Sequence, residues 1–188
     1  MEKLSLGTID IIIDNVVMDN SAIKSIAYKN ETLLLAVPRS FAINEKLKKY
    51  RLSAKDIKSE KYLSDKYNVD LKHFSDCPFI LLNPENDTGK RANLLFKKHN
   101  LNPKTIFFLD QQVTAYNISR TGAGISFVSD TLITHAEFEE QLYYYKLYDE
   151  ETSRKICFYR KNNHYLSNAG QKFIEFSISK QTKKCTFT

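Results

Sequence analysis

The stretch Thr105–Asp130 constrains the fold most, because it fits a strand, a helix and a second strand into 26 residues. The apolar run 106–109 predicts a short strand, and Asp110 is a good N-cap for the amphipathic stretch that follows. The sequence GAG at 122–124 predicts the end of this helix, since glycine adopts the left-handed conformation without a steric penalty. The apolar run 125–128 then predicts a second buried strand.

The preceding segment repeats this pattern. The apolar run 78–82 predicts a strand, the polar sequence NPEND at 83–87 predicts a turn, and 88–99 predicts an amphipathic helix. Two successive strand–helix units with right-handed crossovers deliver two helix N-termini to the same edge of one parallel sheet. Small ligands bind at such an edge in open α/β sheets, so we expect a ligand site there.

The composition excludes several classes of protein. The 188 residues are 42% hydrophobic, enough for a buried core, and no apolar run approaches the ~20 residues that span a membrane. The N-terminal sequence has neither the basic start nor the cleavage site of a signal peptide, so we expect a cytoplasmic protein. The net charge of +6 comes from basic residues scattered along the chain, which favours a solvated surface over a nucleic-acid interface.

No cofactor, metal site or catalytic centre is predicted. The cysteines are odd in number and lack metal-ligand spacing, and the histidines share no such spacing either. No nucleophile lies in a recognisable pattern with a base, so we expect no enzymatic activity. The residues considered are Cys77, Cys157, Cys185, His73, His99, His135 and His164.

The remaining segments predict an α/β chain. Strands are expected at 8–14, at 25–28 and 31–37 as a hairpin around Lys29-Asn30, at 142–148 and at 154–160. Helices are expected at 41–50, from Ser129 or Asp130 to about 141, and from Ser167 or Asn168 onward, with a frayed tail beyond Lys180. The charged segment 51–73 is expected to be an exposed connection with marginal helices.

In order and spacing, several short motifs resemble the effector-binding domain of LysR-type transcriptional regulators, which has a type 2 periplasmic-binding-protein fold. The resemblance covers almost the whole chain. It rests on Leu4 with the following GTID at 7–10, the strand 33–38, the sequence FSDCPFI at 74–80, the turn GAGI at 122–125, and YLS at 165–167.

The resemblance implies a two-lobed fold with a ligand cleft between the lobes. Lobe one would comprise 1–38 plus 146–188, lobe two 39–145, and the two crossovers would act as hinges. The family's DNA-binding winged helix-turn-helix, linker helix and first strand and helix have no counterpart before Met1. The first lobe is therefore expected to be incomplete at its N-terminus, and DNA contact to require a domain absent from this chain.

The resemblance also implies which side chains bind the effector. Amides, hydroxyls and one aromatic ring at these positions suit a small polar ligand. The residues expected from the resemblance are Asn15, Pro38, Arg39, Asn83, Pro84, Gln111, Gln112, Thr114, Ser126 and Phe127. Thr88 and Arg91 are added to them because of their place at the start of the helix 88–99. Alternatives remain open for three groups. Arg91 suits a surface ion pair equally well, and Phe127 suits the core. Asn83, Asp87 and Asp110 suit plain caps and turn residues.

The predicted function is that of a small-molecule effector-sensing domain of a LysR-type regulator, a homo-oligomer in its full-length form, without membrane contact. A stand-alone solute-binding protein serving transport is the alternative, disfavoured by the missing signal peptide. The helix starts near Thr88 and Gln111 carry partial positive charge, and Arg39 and Arg91 would add full charges. We therefore expect a small anionic or polar metabolite as effector.

Overall fold

The computed structural model describes residues 2–15, 21–136 and 140–184, with side chains up to residue 180. Cys185, named above, lies outside this part of the chain. The described helices are α1 (Glu2–Ser5), α2 (Ile43–Lys46), α3 (Ala54–Lys58), α4 (Asp87–Lys98), α5 (Gln112–Arg120), α6 (Asp130–His135) and α7 (Asn168–Lys184). The strands are β1 (Ile12–Asp14), β2 (Ile23–Pro38), β3 (Asn68–Val69), β4 (Pro78–Leu82), β5 (Lys104–Leu109), β6 (Ile125–Ser129), β7 (Leu142–Leu147) and β8 (Ser153–Lys161).

The chain divides into two compact units. Unit 1 comprises Met1–Glu31 and Arg154–Thr188, and unit 2 comprises Thr32–Ser153. Pro38, at the sequence-predicted lobe boundary, pairs with Leu142 inside the sheet of unit 2. Which residues act as hinges stays a prediction.

Unit 2 is built on a mixed sheet in which β4 lies between β5 and β6 and runs parallel to both. The second half of β2 pairs antiparallel with β6 on one side and with β7 on the other. The short strand β3 extends the sheet as the parallel neighbour of β7. The parallel strand–helix units predicted from the sequence are thus confirmed.

Successive side chains of β4 pack against two different helices, one on each face of the sheet. Phe79 packs with Ala92 and Phe96 of α4, while Ile80 packs with Ala115 of α5 on the opposite face. Because successive side chains of a strand point to opposite faces, a continuous apolar run fits a strand covered on both sides. The rings of Phe79 and Phe96 meet edge to face with centroids 5.0 Å apart.

Unit 1 has a smaller sheet in which β8 lies between β1 and the first part of β2. β1 is the terminal strand of this order and is shorter than the predicted strand at 8–14. Helix α7 packs on the sheet through Ile174, which joins Phe158 of β8 and Leu166 in a small core. Buried Glu31 forms an ion pair with Arg154, whose Nε donates to Oε2 at 2.6 Å.

The predicted hairpin around Lys29-Asn30 is wrong, because β2 runs unbroken through these residues. No glycine supplies the positive φ that a tight hairpin turn needs, and both halves of the strand find partners elsewhere. The helices expected at 41–50 and from Ser129 onward are also shorter than predicted. The backbone of α7, in contrast, continues past Lys180.

The segment 51–73 is not an exposed connection. Its short α- and 3-10-helical turns bury Ile57, Tyr62 and Leu71 against the rest of unit 2. Leu52 is buried where its backbone forms an antiparallel bridge with Tyr144. Ser53 begins α3 with a capping box that is closed by Asp56. In short turns the apolar residues do not recur with a sustained period of 3.6 residues. The apolar spacing of the sequence therefore did not predict that this segment is buried.

Candidate functional site

The carboxyl ends of β4, β5 and β6 lie at one edge of the unit 2 sheet, because these three strands are parallel. Helices α4, α5 and α6 each begin within a few residues of that edge. We call this region, defined by residues 83–89, 110–114 and 129–130, the carboxyl edge. Helix N-termini carry partial positive charge and unsatisfied N–H groups, so the carboxyl edge favours negative or polar ligand atoms.

Helix α4 begins at a position fixed by two residues. Asn86 is the N-cap, and its side-chain oxygen accepts a hydrogen bond from the Thr88 amide at 2.9 Å. Gly89 lies against the end of β4, where an added Cβ would be 2.6 Å from the Leu82 carbonyl oxygen and closer still to that of Asn83. Only glycine allows this close approach of helix to strand.

Gln112, the first residue of α5, connects the three helix starts. Its Nε2 donates to Thr88 Oγ1 at 3.3 Å, and its Oε1 accepts from the Ser129 amide at 3.1 Å. Ser129 is itself the N-cap of α6 and accepts from the Leu132 amide. One amide side chain therefore holds α4 and the start of α6 against the start of α5.

Asp110 does not cap α5, contrary to the prediction. The N-cap is Gln111, whose side chain makes no capping hydrogen bond. Asp110 instead accepts from Asn83 Nδ2 at 2.5 Å, across the gap between the ends of β4 and β5. This longer-range bond takes the carboxylate away from α5 and leaves the helix start without a side-chain cap.

Arg91 is held by groups of unit 2. Its Nε donates to Asp87 Oδ2 at 3.1 Å, and its Nη1 donates to the carbonyls of Glu151 and Ser153 at 3.0 and 3.2 Å. The ion-pair alternative for this side chain therefore matches the contacts found. Its charge also offsets that of Asp87 beside the start of α4.

Pro38 and Arg39 lie away from the carboxyl edge. The antiparallel register pairs Leu33 with Ser129 and Ala36 with Ser126, so the end of β2 reaches the opposite, amino end of β6. The exposed guanidinium of Arg39 stacks over the Tyr143 ring, 4.5 Å from its centroid. Within unit 2 the structure does not bring these two residues together with Gln112.

Ser126 and Phe127 are buried in the middle of β6. The Ser126 hydroxyl accepts from Ser119 at 2.8 Å, and the Phe127 ring packs against Phe79 and Phe96. Both side chains are almost fully shielded from solvent. Both side chains therefore make the contacts of core residues. This agrees with the alternative interpretation of Phe127 as part of the core.

The structure brings six of the expected residues to the carboxyl edge, namely Asn83, Pro84, Thr88, Gln111, Gln112 and Thr114. Of these, Pro84 is exposed in the turn before α4. Asn15 belongs to unit 1, where it follows β1 and its amide donates to its neighbour Asp14. The roles of all these residues in ligand binding stay predictions.

Asn86, Gly89 and Ser129 were not among the expected site residues. Asn86 stands in a polar turn before an amphipathic stretch, which is an N-cap signal, and Ser129 directly follows an apolar strand. Gly89 gave a usable signal too, because a glycine in the first turn of a helix is unfavourable unless close packing requires it.

Helix α6 has one carboxylate, Asp130, which is buried and accepts hydrogen bonds. It accepts from the Tyr62 hydroxyl at 2.6 Å and from the Thr32 amide at 3.1 Å. Burial raises the pKa of Tyr62, and the bond to Asp130 raises it further, so the phenol stays protonated. In the described part of the chain no cluster of His, Cys, Asp or Glu is placed to hold a metal ion.

A family model, the LysR substrate binding domain, matches residues 1–181. The chain belongs to this family. Comparison with curated protein sequences gave no significant match. Across residues 2–15, 21–136 and 140–184, no helix is long and apolar enough to cross a membrane.

Three solved structures of this kind of protein share the fold. Full-length BenM has 23% identity and a TM-score of 0.67, with 100% of this chain and 55% of BenM covered, so the chain spans about half of that protein. The Synechocystis PCC6803 CcmR regulatory domain in complex with 2-PG has 14% identity and a TM-score of 0.71, covering 95% and 76%. The effector binding domain of QuiR in complex with shikimate has 16% identity and a TM-score of 0.66, covering 97% and 76%.

The family match and these structures confirm the predicted fold class, a two-lobed α/β fold of the LysR effector-binding type. The family match also confirms the predicted kind of function, that of an effector-binding domain of a LysR-type regulator. The transport alternative is not favoured, because the family model that matches the chain is that of the LysR substrate binding domain.

Proposed function

We propose that this LysR substrate-binding domain binds a small anionic or polar metabolite at the carboxyl edge of unit 2. The observation that carries the proposal is the position of Gln112, which ties the starts of α4, α5 and α6 to one edge through Thr88 and Ser129. Fixed helix starts of this kind are pre-organised to receive a ligand, since no further ordering is needed on binding.

The charge of the carboxyl edge supports an anionic group on the ligand. Helix α5 begins without a side-chain cap, so its first amides are oriented toward an incoming acceptor. Asp87 is offset by Arg91, and Asp110 accepts a bond from Asn83. The BenM effector binding domain is known with its effector benzoate, and QuiR with shikimate, and both of these ligands are carboxylates.

The regulatory role follows from a shift in conformational populations. A ligand that binds one conformation better than another shifts the equilibrium by its difference in affinity for the two, however tightly it binds either. We propose that effector binding here biases such an equilibrium, without catalysis or a cofactor, in a cytoplasmic homo-oligomeric regulator. Contact with DNA would be made by a separate domain of the complete protein.

The test is a thermal-shift screen of chemically mixed metabolites, followed by calorimetry of the compounds that stabilise the chain. A ligand at 100 times its dissociation constant stabilises by about 2.7 kcal/mol, which is readily detected. Gln112→Glu keeps the acceptor for the Ser129 amide but adds a negative charge at the start of α5. We expect carboxylates to bind at least about tenfold more weakly to this variant, a loss of about 1.4 kcal/mol.

Asn102→Asp is the matched control, since it adds the same charge at an exposed position of unit 2 between α4 and β5. It should leave binding nearly unchanged. Thr114→Val, which removes an exposed hydroxyl from α5 without adding charge, should weaken binding less than Gln112→Glu. Preferential binding of amines to the parent chain, or carboxylate binding that Gln112→Glu does not weaken, would contradict the proposal.

A further inference from the structure

A concavity lies wholly within unit 1, on the surface formed by β2, β8 and α7. Its volume is about 540 Å³, within the range of roughly 300–1,000 Å³ typical of small-molecule pockets. One wall is aliphatic and consists of Ile26, Leu166, Ile174 and Ile178. No residue of the carboxyl edge takes part in it.

The concavity is also lined by one arginine. Arg160 of β8 is half-buried, and its Nη1 donates to the carbonyls of Lys161 and His164, both at the long distance of 3.4 Å. In the described residues no carboxylate lies within ion-pair distance of its guanidinium. The arginine guanidinium has five N–H donors in a rigid planar arrangement, so most of these donors remain available to a ligand.

The rim restricts what the concavity can hold. Glu175 lines it from α7 and is exposed, and Tyr165 lies beside it with 78% of its surface exposed. A second carboxylate on the ligand would be repelled by Glu175, while an apolar chain or ring gains contact with the aliphatic wall and with Tyr165.

From this combination we infer that unit 1 carries a second ligand site, for a small amphipathic monocarboxylate. The carboxylate lies against the guanidinium of Arg160, where two parallel N–H···O bonds are geometrically available. The apolar part of the ligand covers Ile26, Ile174 and Ile178. The site is separate from the carboxyl edge and does not depend on the function proposed for it.

The test is a titration of the full chain, labelled with ¹³C at the isoleucine δ1 methyl groups, with octanoate. We expect saturable shifts at Ile26, Ile174 and Ile178. Octanamide, the neutral analogue, and suberate, the dicarboxylate of equal length, should bind at least about tenfold more weakly. Tenfold is the effect of losing about 1.4 kcal/mol, which is close to the lower end of the contribution of one hydrogen bond to a charged group.

Arg160→Met should weaken octanoate binding by a similar factor. Lys172→Met removes a positive charge from α7 outside the aliphatic wall and should change nothing, and Gln112→Glu should not affect these shifts either. Because octanamide and suberate probe the unmodified chain, the inference remains testable if Arg160→Met does not fold. Equal affinity for octanoate and octanamide, or shifts confined to isoleucines of unit 2, would overturn it.

Discussion

Replacing Gly89 with alanine tests whether α4 is held in place by its contact with β4. The new Cβ would lie 2.6 Å from the Leu82 carbonyl oxygen, about 0.8 Å short of ordinary contact, and closer still to the Asn83 carbonyl. Both neighbours are backbone atoms, so the start of α4 must move rather than a side chain. Overpacking of this size costs roughly 1–3 kcal/mol.

The gain in helix propensity from glycine to alanine offsets up to about 1 kcal/mol of that cost. Because both clashing neighbours are backbone atoms, we take the upper part of the range for overpacking, about 2–3 kcal/mol. We therefore expect a net loss of about 1–2 kcal/mol, which corresponds to a fall in Tm of roughly 2–8 °C for a chain of this size. Thermal unfolding followed by far-UV circular dichroism measures it. Because α4 carries Thr88, the same variant should also weaken ligand binding at the carboxyl edge.

Gly170→Ala is the matched control, since it also places an alanine near the start of a helix. Its Cβ would meet the Leu166 side chain at 2.8 Å, which is a flexible neighbour that can turn away. This variant should keep the parent Tm or raise it slightly. A Gly89→Ala protein as stable as the parent would refute the close packing of α4 on β4.

Substitutions at Asp149 and at the pair Tyr116 and Tyr144 also probe unit 2. Burial alone would raise the pKa of Asp149, but the Glu151 amide at 3.0 Å and the Lys98 ammonium at 3.0 Å outweigh it, so its pKa lies below the ordinary value. This stabilisation is fully present above the unfolded pKa of about 3.9 and is lost as pH falls through the folded pKa, so Asp149→Asn should flatten the acid limb of urea midpoints measured against pH. The buried hydroxyls of Tyr116 and Tyr144 form a hydrogen bond at 2.9 Å. Changing either residue to phenylalanine leaves the other hydroxyl buried without this partner, which should lower the free energy of unfolding by about 1–3 kcal/mol. Chemical denaturation should show the double phenylalanine variant to be more stable than the sum of the two single losses predicts; simple additivity would contradict the pairing.

The parallel core of unit 2 could be predicted from the sequence because its signals are local. The apolar runs of β4 and β6, the polar turns and the glycine after α5 each specify an element without reference to distant residues. Gly122 does adopt a positive φ of 91°, as the predicted helix end requires. The candidate site followed from the same logic, since parallel strands deliver their helix starts to one edge.

The parts that could not be predicted depend on contacts between distant residues. Arg91 donates to the carbonyls of Glu151 and Ser153, some sixty residues away in the sequence, and no local sequence pattern predicts these hydrogen bonds. Asp110 has the sequence context of an N-cap, yet its carboxylate accepts a hydrogen bond from Asn83, at the end of the neighbouring strand. The position of Arg39 depends on strand register, and the antiparallel pairing of β2 with β6 places it at the far end.

The central claim, that the ligand binds at the carboxyl edge, is tested most directly by amide NMR. The ¹⁵N-labelled chain would be titrated with a carboxylate selected by the thermal-shift screen. The account predicts that the largest shifts occur at the amides of 112–114 and of Thr88, and that they are lost in Gln112→Glu. Saturable binding that leaves these amides unchanged and perturbs the region of Arg39 instead would contradict it.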